Sequence, residues 1–96
     1  MAYFIEINKY KEDSKRLFYS VISDIGPTKF FFAIYNQEMI IYSDKYGNNI
    51  LGRLNLDNPK QIINIENINS KVLALVITKL CKFDKHTVPD DFSIYA

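Results

Sequence analysis

The stretch "KFFFAIYNQEMIIYSD", Lys29 to Asp44, constrains the fold of this chain more than any other. Two apolar arms flank the polar Asn36-Gln37-Glu38, which is the pattern of a β-hairpin. Successive side chains of a strand point to opposite faces. Phe30, Phe32 and Ile34 therefore share one face of the first arm, and Phe31, Ala33 and Tyr35 share the other. With a three-residue turn, Ile40 and Tyr42 of the second arm join the first face, and Met39 and Ile41 join the second. Both faces are apolar, whereas an antiparallel sheet with one solvated face carries polar residues there. Three arrangements satisfy this pattern. A short helix or the C-terminal tail crosses the second face, the sheet curls into a half-barrel, or a partner covers an exposed apolar patch.

Around this hairpin the first two thirds of the chain read as strands. Tyr3-Phe4-Ile5-Glu6-Ile7 alternates, "KYKEDSKR" is a charged turn, and Leu17 to Ile25 is rich in aromatic and branched residues. Ile25-Gly26-Pro27-Thr28 forms the next turn. "DKYGNN" is a loop, followed by a fifth strand from Ile50 to Leu56 in which Gly52 marks a bulge. Every connection is too short for a crossover, so neighbouring strands pair antiparallel.

From Asp57 the apolar spacing becomes helical, with Pro59 in the first turn. One unbroken helix from Pro59 to Lys82 would run about 36 Å. It would overhang strands of roughly 20–24 Å. "NIENINS" breaks it into a short first helix or turn and a main helix from about Ser70 to Lys82, capped by Asn69 or Ser70. The tail "DKHTVPDDFSIYA" reads as irregular, pinned by Phe92, Ile94 and Tyr95. The expected fold is α+β: about five antiparallel strands in a meander, then a short helix and a main C-terminal helix packed on one face. At 96 residues it forms a single domain spanning 1–96.

Little in the sequence carries catalytic chemistry. His86 is the only histidine and Cys81 the only cysteine, so a nucleophile–base pair or a metal cluster has poor material. The three glycines, Gly26, Gly47 and Gly52, are too scattered for a phosphate loop. "DKYGNN" lacks the alternating carboxylates of a calcium loop. The expectation is a non-enzyme without metal or cofactor. A formal net charge of +1 gives no global field for nucleic acid. The N-terminus does not read as a signal peptide, and no apolar run approaches the ~20 residues of a membrane span. Together these suggest a cytoplasmic protein, monomeric or weakly dimeric, with no membrane partner.

The meander puts the ends of strands two and four at one edge, together with the loop after Asp44. That edge gathers Asp24, Tyr42, Asp44, Tyr46 and Asn48 as candidate partner-binding residues; Asp90 and Asp91 of the tail are further candidates, and whether they join this edge depends on where the helices reverse. The basic tip Lys9–Arg16 lies at the opposite edge.

The strand meander around "KFFFAIYNQEMIIYSD", the "SKVLALVITKLCKF" helix and the absence of catalytic motifs together resemble a small bacterial immunity protein. Such proteins neutralise the toxin domains of contact-dependent growth inhibition and related polymorphic toxin systems. The resemblance implies a cognate toxin as partner, a nuclease foremost, covered stoichiometrically at its active site. It implies carboxylates pairing with toxin Lys or Arg, and no direct contact with nucleic acid. It carries over no individual residue. Two other readings stand beside it: a nucleic-acid-binding or regulatory module using the Lys9–Arg16 tip, and a self-associating structural subunit using the apolar sheet face.

Overall fold

The computed structural model describes residues 4–25, 28–57, 68–83 and 88–95. Six strands and one helix follow in chain order: β1 (Phe4–Glu12), β2 (Leu17–Ser23), β3 (Thr28–Tyr35), β4 (Glu38–Tyr42), β5 (Ile50–Asn55), α1 (Ser70–Lys82) and β6 (Asp91–Tyr95). All pairings are antiparallel, in the order β5-β4-β3-β2-β1-β6. The α+β class and the five-strand meander match the sequence reading. The short first helix expected after Pro59 lies outside the described residues, as do the Gly26-Pro27 turn and His86.

The tail corrects the sequence reading, because it is a strand and not an irregular segment. Phe92 and Ile94 alternate with Asp91, Ser93 and Tyr95, and pair across β1 with Ile7 and Ile5. Phe92 packs its ring edge against Phe83 at 5.1 Å and Tyr19 at 6.2 Å. Pro89 donates no N–H, but it stands before the strand and interrupts no ladder. Its carbonyl accepts a 3.0 Å hydrogen bond from the Tyr19 hydroxyl. Partial burial of two apolar side chains on one face, with the ladder to β1, outweighs the polar character of the remaining tail residues.

Local chemistry explains the turns. At the β1–β2 tip the Asp13 carboxylate accepts from the backbone N–H of Lys15 and Arg16, at 2.9 and 2.7 Å. These two bonds, Lys15 first, hold its pKa below the usual value. The β3–β4 turn has two residues, with Asn36 at φ 55°, a left-handed conformation that asparagine tolerates. Tyr35 consequently pairs with Glu38, Ile34 with Met39 and Phe32 with Ile41. The three-residue turn read from the sequence shifts this register by one and flips every β4 side chain. Met39 and Ile41, not Ile40 and Tyr42, share the face of Phe32 and Ile34.

α1 lies on that face. Val72, Leu73, Val76, Ile77 and Leu80 form its buried stripe and join Ile5, Ile7, Tyr19, Val21, Phe30, Phe32, Met39 and Ile41 in the main core. Helical spacing of the apolar positions produces that stripe. Asn69 starts the helix, its side-chain oxygen accepting from Lys71 N at 2.9 Å and Val72 N at 3.3 Å. Asn69→Ala leaves two N–H groups without that acceptor, and we expect a loss of about 1 kcal/mol. A thermal melt would read this as a fall in Tm of ~4–8 °C, while Asn69→Ser, which keeps an acceptor, should recover most of it.

Candidate binding surface

The second face of the sheet holds its own small core. Phe18, Ala33, Ile40 and Tyr42 are buried there, with Tyr10 and Phe31 packed against them. Among the described residues their cover comes from β1 and the loop after β4, while the tail pairs beside β1 and the short first helix read as a cover lies outside the described residues. β1 changes register between Lys9 and Lys11, and the irregularity falls on Tyr10. The extra residue sets Lys11 opposite Phe18, on the same face as Tyr10. The Tyr10 ring sits 5.8 Å from Phe31, edge-on, and 6.2 Å from Phe18. Its hydroxyl donates to the Lys45 carbonyl at 2.8 Å, tying β1 to the loop after β4. Burial, followed by the nearby Tyr42 and Asp44, raises the Tyr10 pKa.

That loop, residues 43–49, folds onto the same face. Gly47 has φ +75°, a left-handed conformation that favours glycine, while a Cβ there would meet the Tyr42 ring at an ordinary 3.5 Å contact. Asp44 braces the loop from inside: its carboxylate accepts from Asn48 N at 3.2 Å and Asn49 N at 3.0 Å. Partial desolvation of the carboxylate opposes ionisation, but the N–H groups of Asn49, Asn48 and Tyr46 outweigh it and hold the pKa low. Ser43 N donates to the Asn49 carbonyl at 3.1 Å, and Asn49 Nδ2 donates to Ser43 Oγ at 2.7 Å. From this braced loop Tyr46 stands 84% exposed.

The sequence-predicted site residues separate into two groups. Asp24, Tyr42, Asp44, Tyr46 and Asn48 lie toward one end of the sheet, as expected from the meander. Tyr42 is buried, however, and the Asp24 carboxylate accepts from Phe4 N at 2.9 Å. Asp90 and Asp91 lie elsewhere, beside β1. Asp91 pairs with Asn8, and Asp90 forms a 2.8 Å ion pair with Lys9 while its carbonyl accepts from Lys9 N at 2.7 Å. Lys9 also meets Glu12 at 3.1 Å, so this lysine of the basic tip is neutralised locally. Its pKa is raised, first by Asp90 and then by Glu12.

Sequence reasoning missed Tyr10, because "KYKEDSKR" reads as a charged turn whereas β1 runs on to Glu12. It also missed three lysines perched on the rings of this face. Lys11 Nζ lies 5.1 Å from the Phe18 centroid, Lys29 Nζ 5.8 Å from Phe31, and Lys45 Nζ 5.8 Å from Tyr10.

The remaining chemistry is sparse. The Cys81 thiol donates to the Leu56 carbonyl at 3.4 Å, and burial pushes its pKa up, the opposite of nucleophile activation. Among the described residues no group of three His, Cys, Asp or Glu side chains is placed to hold a metal ion. Nor is any helix among them long and apolar enough to cross a membrane. An open cleft of about 790 Å³ lies at the opposite end of the sheet, lined by Lys15, Leu17, Tyr35 and Asn36 among others, and contains none of the predicted site residues. No protein-family model, curated protein or solved structure matches the chain.

Proposed function

We propose that this chain works by stoichiometric binding: it is an immunity protein that docks on a cognate bacterial toxin domain, a nuclease foremost, and blocks the active site. The observation that carries the reading is the 43–49 loop, which presents Tyr46 at 84% exposure from a hydrogen-bonded frame. A large amphipathic ring on a preorganised loop costs little ordering entropy on binding, and tyrosine is enriched among the residues that dominate interface energetics. The internal bonds of Asp24, Asp44 and Asp90 shift the emphasis from carboxylate pairing to this aromatic anchor.

Co-expression with the product of the gene immediately upstream tests the proposal. A stable complex and protection of cells from that product are expected. Tyr46→Ala should weaken the complex by at least about tenfold, in the range of an interface anchor, while leaving the thermal melt close to that of the parent because the ring buries little surface. If the two proteins neither copurify nor give protection, the proposal fails.

A further inference from the structure

We propose that the lysine-crowned aromatic face of the sheet is a docking surface for an acidic protein segment. The face is built from three adjoining rings, Tyr10, Phe18 and Phe31, joined at centroid distances of 6.2 and 5.8 Å. Each ring carries one ammonium group, from Lys45, Lys11 and Lys29 respectively, at 5.1–5.8 Å. A ring quadrupole orients a cation without neutralising it. Among the described residues none of these three lysines forms an ion pair with a carboxylate, whereas Lys9 and Arg53 do. Three like charges are thus gathered over one ring cluster with no carboxylate in ion-pair contact. The arrangement complements an anionic partner.

Several observations favour a protein over a nucleic acid. An ammonium group lies over each ring and Phe18 is only 8% exposed, which leaves little platform for a base to stack on. Ile22, 47% exposed, stands on the same face between its cross-strand neighbours Glu6 and Lys29, a setting for an apolar side chain. Exposed Glu6 and the partly exposed Asp44 flank the lysines and confine the cationic patch to these three groups, a size that suits a few carboxylates of a short segment rather than a continuous phosphate backbone. This surface does not depend on the partner being a toxin.

The test is an NMR titration of the full chain with a short polyglutamate peptide, and in parallel with an oligouridylate of matching length. Saturable, salt-sensitive amide shifts at Tyr10, Phe18, Phe31 and Lys45 are expected with the peptide. The triple variant Lys11→Gln, Lys29→Gln, Lys45→Gln should weaken that binding about tenfold, and the corresponding triple arginine variant should keep it. Well-dispersed spectra of both variants would confirm that they fold. Absence of shifts on this face, shifts centred on Lys15 and Arg16, or binding that survives the glutamine variant would overturn the proposal. So would tighter binding of the oligouridylate to the same face. Failure here leaves protection by co-expression untouched, so the two proposals fall separately.

Discussion

Phe32→Ala is expected to bring this protein close to unfolding. Phe32 is fully buried at the centre of the main core, in the third of six strands, with its ring stacked on Tyr19 at 5.1 Å and 14° between planes. Removing a fully buried phenylalanine costs ~3–5 kcal/mol through lost transfer energy and the cavity left behind. The whole stability of a domain is only ~5–15 kcal/mol. In urea the midpoint should fall sharply with little change in m. Phe31→Ala, one residue along and half-buried on the other face, should cost clearly less. Equal losses at the two positions would contradict the assignment of the main core to the α1 side.

The second large effect is alkaline. Tyr19 is fully buried, and burial pushes its hydroxyl pKa up to about 12, with Lys9 opposing and Asp90, Glu12 and Asp91 assisting. A group whose folded pKa lies above its unfolded value keeps its proton more tightly when folded. The associated stability is therefore fully present below the unfolded value, near pH 10, and is lost as pH rises toward 12. Two units correspond to at most ~2.7 kcal/mol. The hydroxyl is only part-buried where it meets the Pro89 carbonyl, so solvent screening reduces this to about 1–2 kcal/mol. Tyr19→Phe should be less stable than the parent at neutral pH by the lost hydrogen bond, about 0.5–1.5 kcal/mol. It should also show a flatter decline between pH 10 and 12, so that the two stability curves converge or cross. Parallel curves from urea melts across that range would show that Tyr19 is not the titrating group.

Much of this architecture was legible because it rests on periodicity. Val72, Leu73, Val76, Ile77 and Leu80 recur at helical spacing, and α1 runs from Ser70 to Lys82 with Asn69 as its cap. The apolar runs and short connections set the antiparallel meander. Register was less legible, because it depends on whether the turn at Asn36 holds two residues or three, and the same letters allow both. β6 was missed because Pro89, Asp90 and Asp91 dominate a segment whose apolar alternation covers only Phe92 and Ile94. The binding surface was legible only in part. Composition marks an aromatic, two-faced hairpin, but the bulge at Tyr10 and the return of the 43–49 loop are tertiary events. They convert that greasy second face into a small closed core with lysines around it.

The position of β6 has a kinetic consequence. Strands β1 to β5 can zip from neighbour to neighbour, each closing a short loop. The Ile5–Ile94 pairing instead joins sequence positions separated by nearly the whole chain, and its closure entropy must be met before the ladder stabilises anything. Every residue of β6 is at least partly exposed. This strand is therefore expected to dock late in folding and to loosen early, each opening uncovering the β1 edge that it otherwise protects.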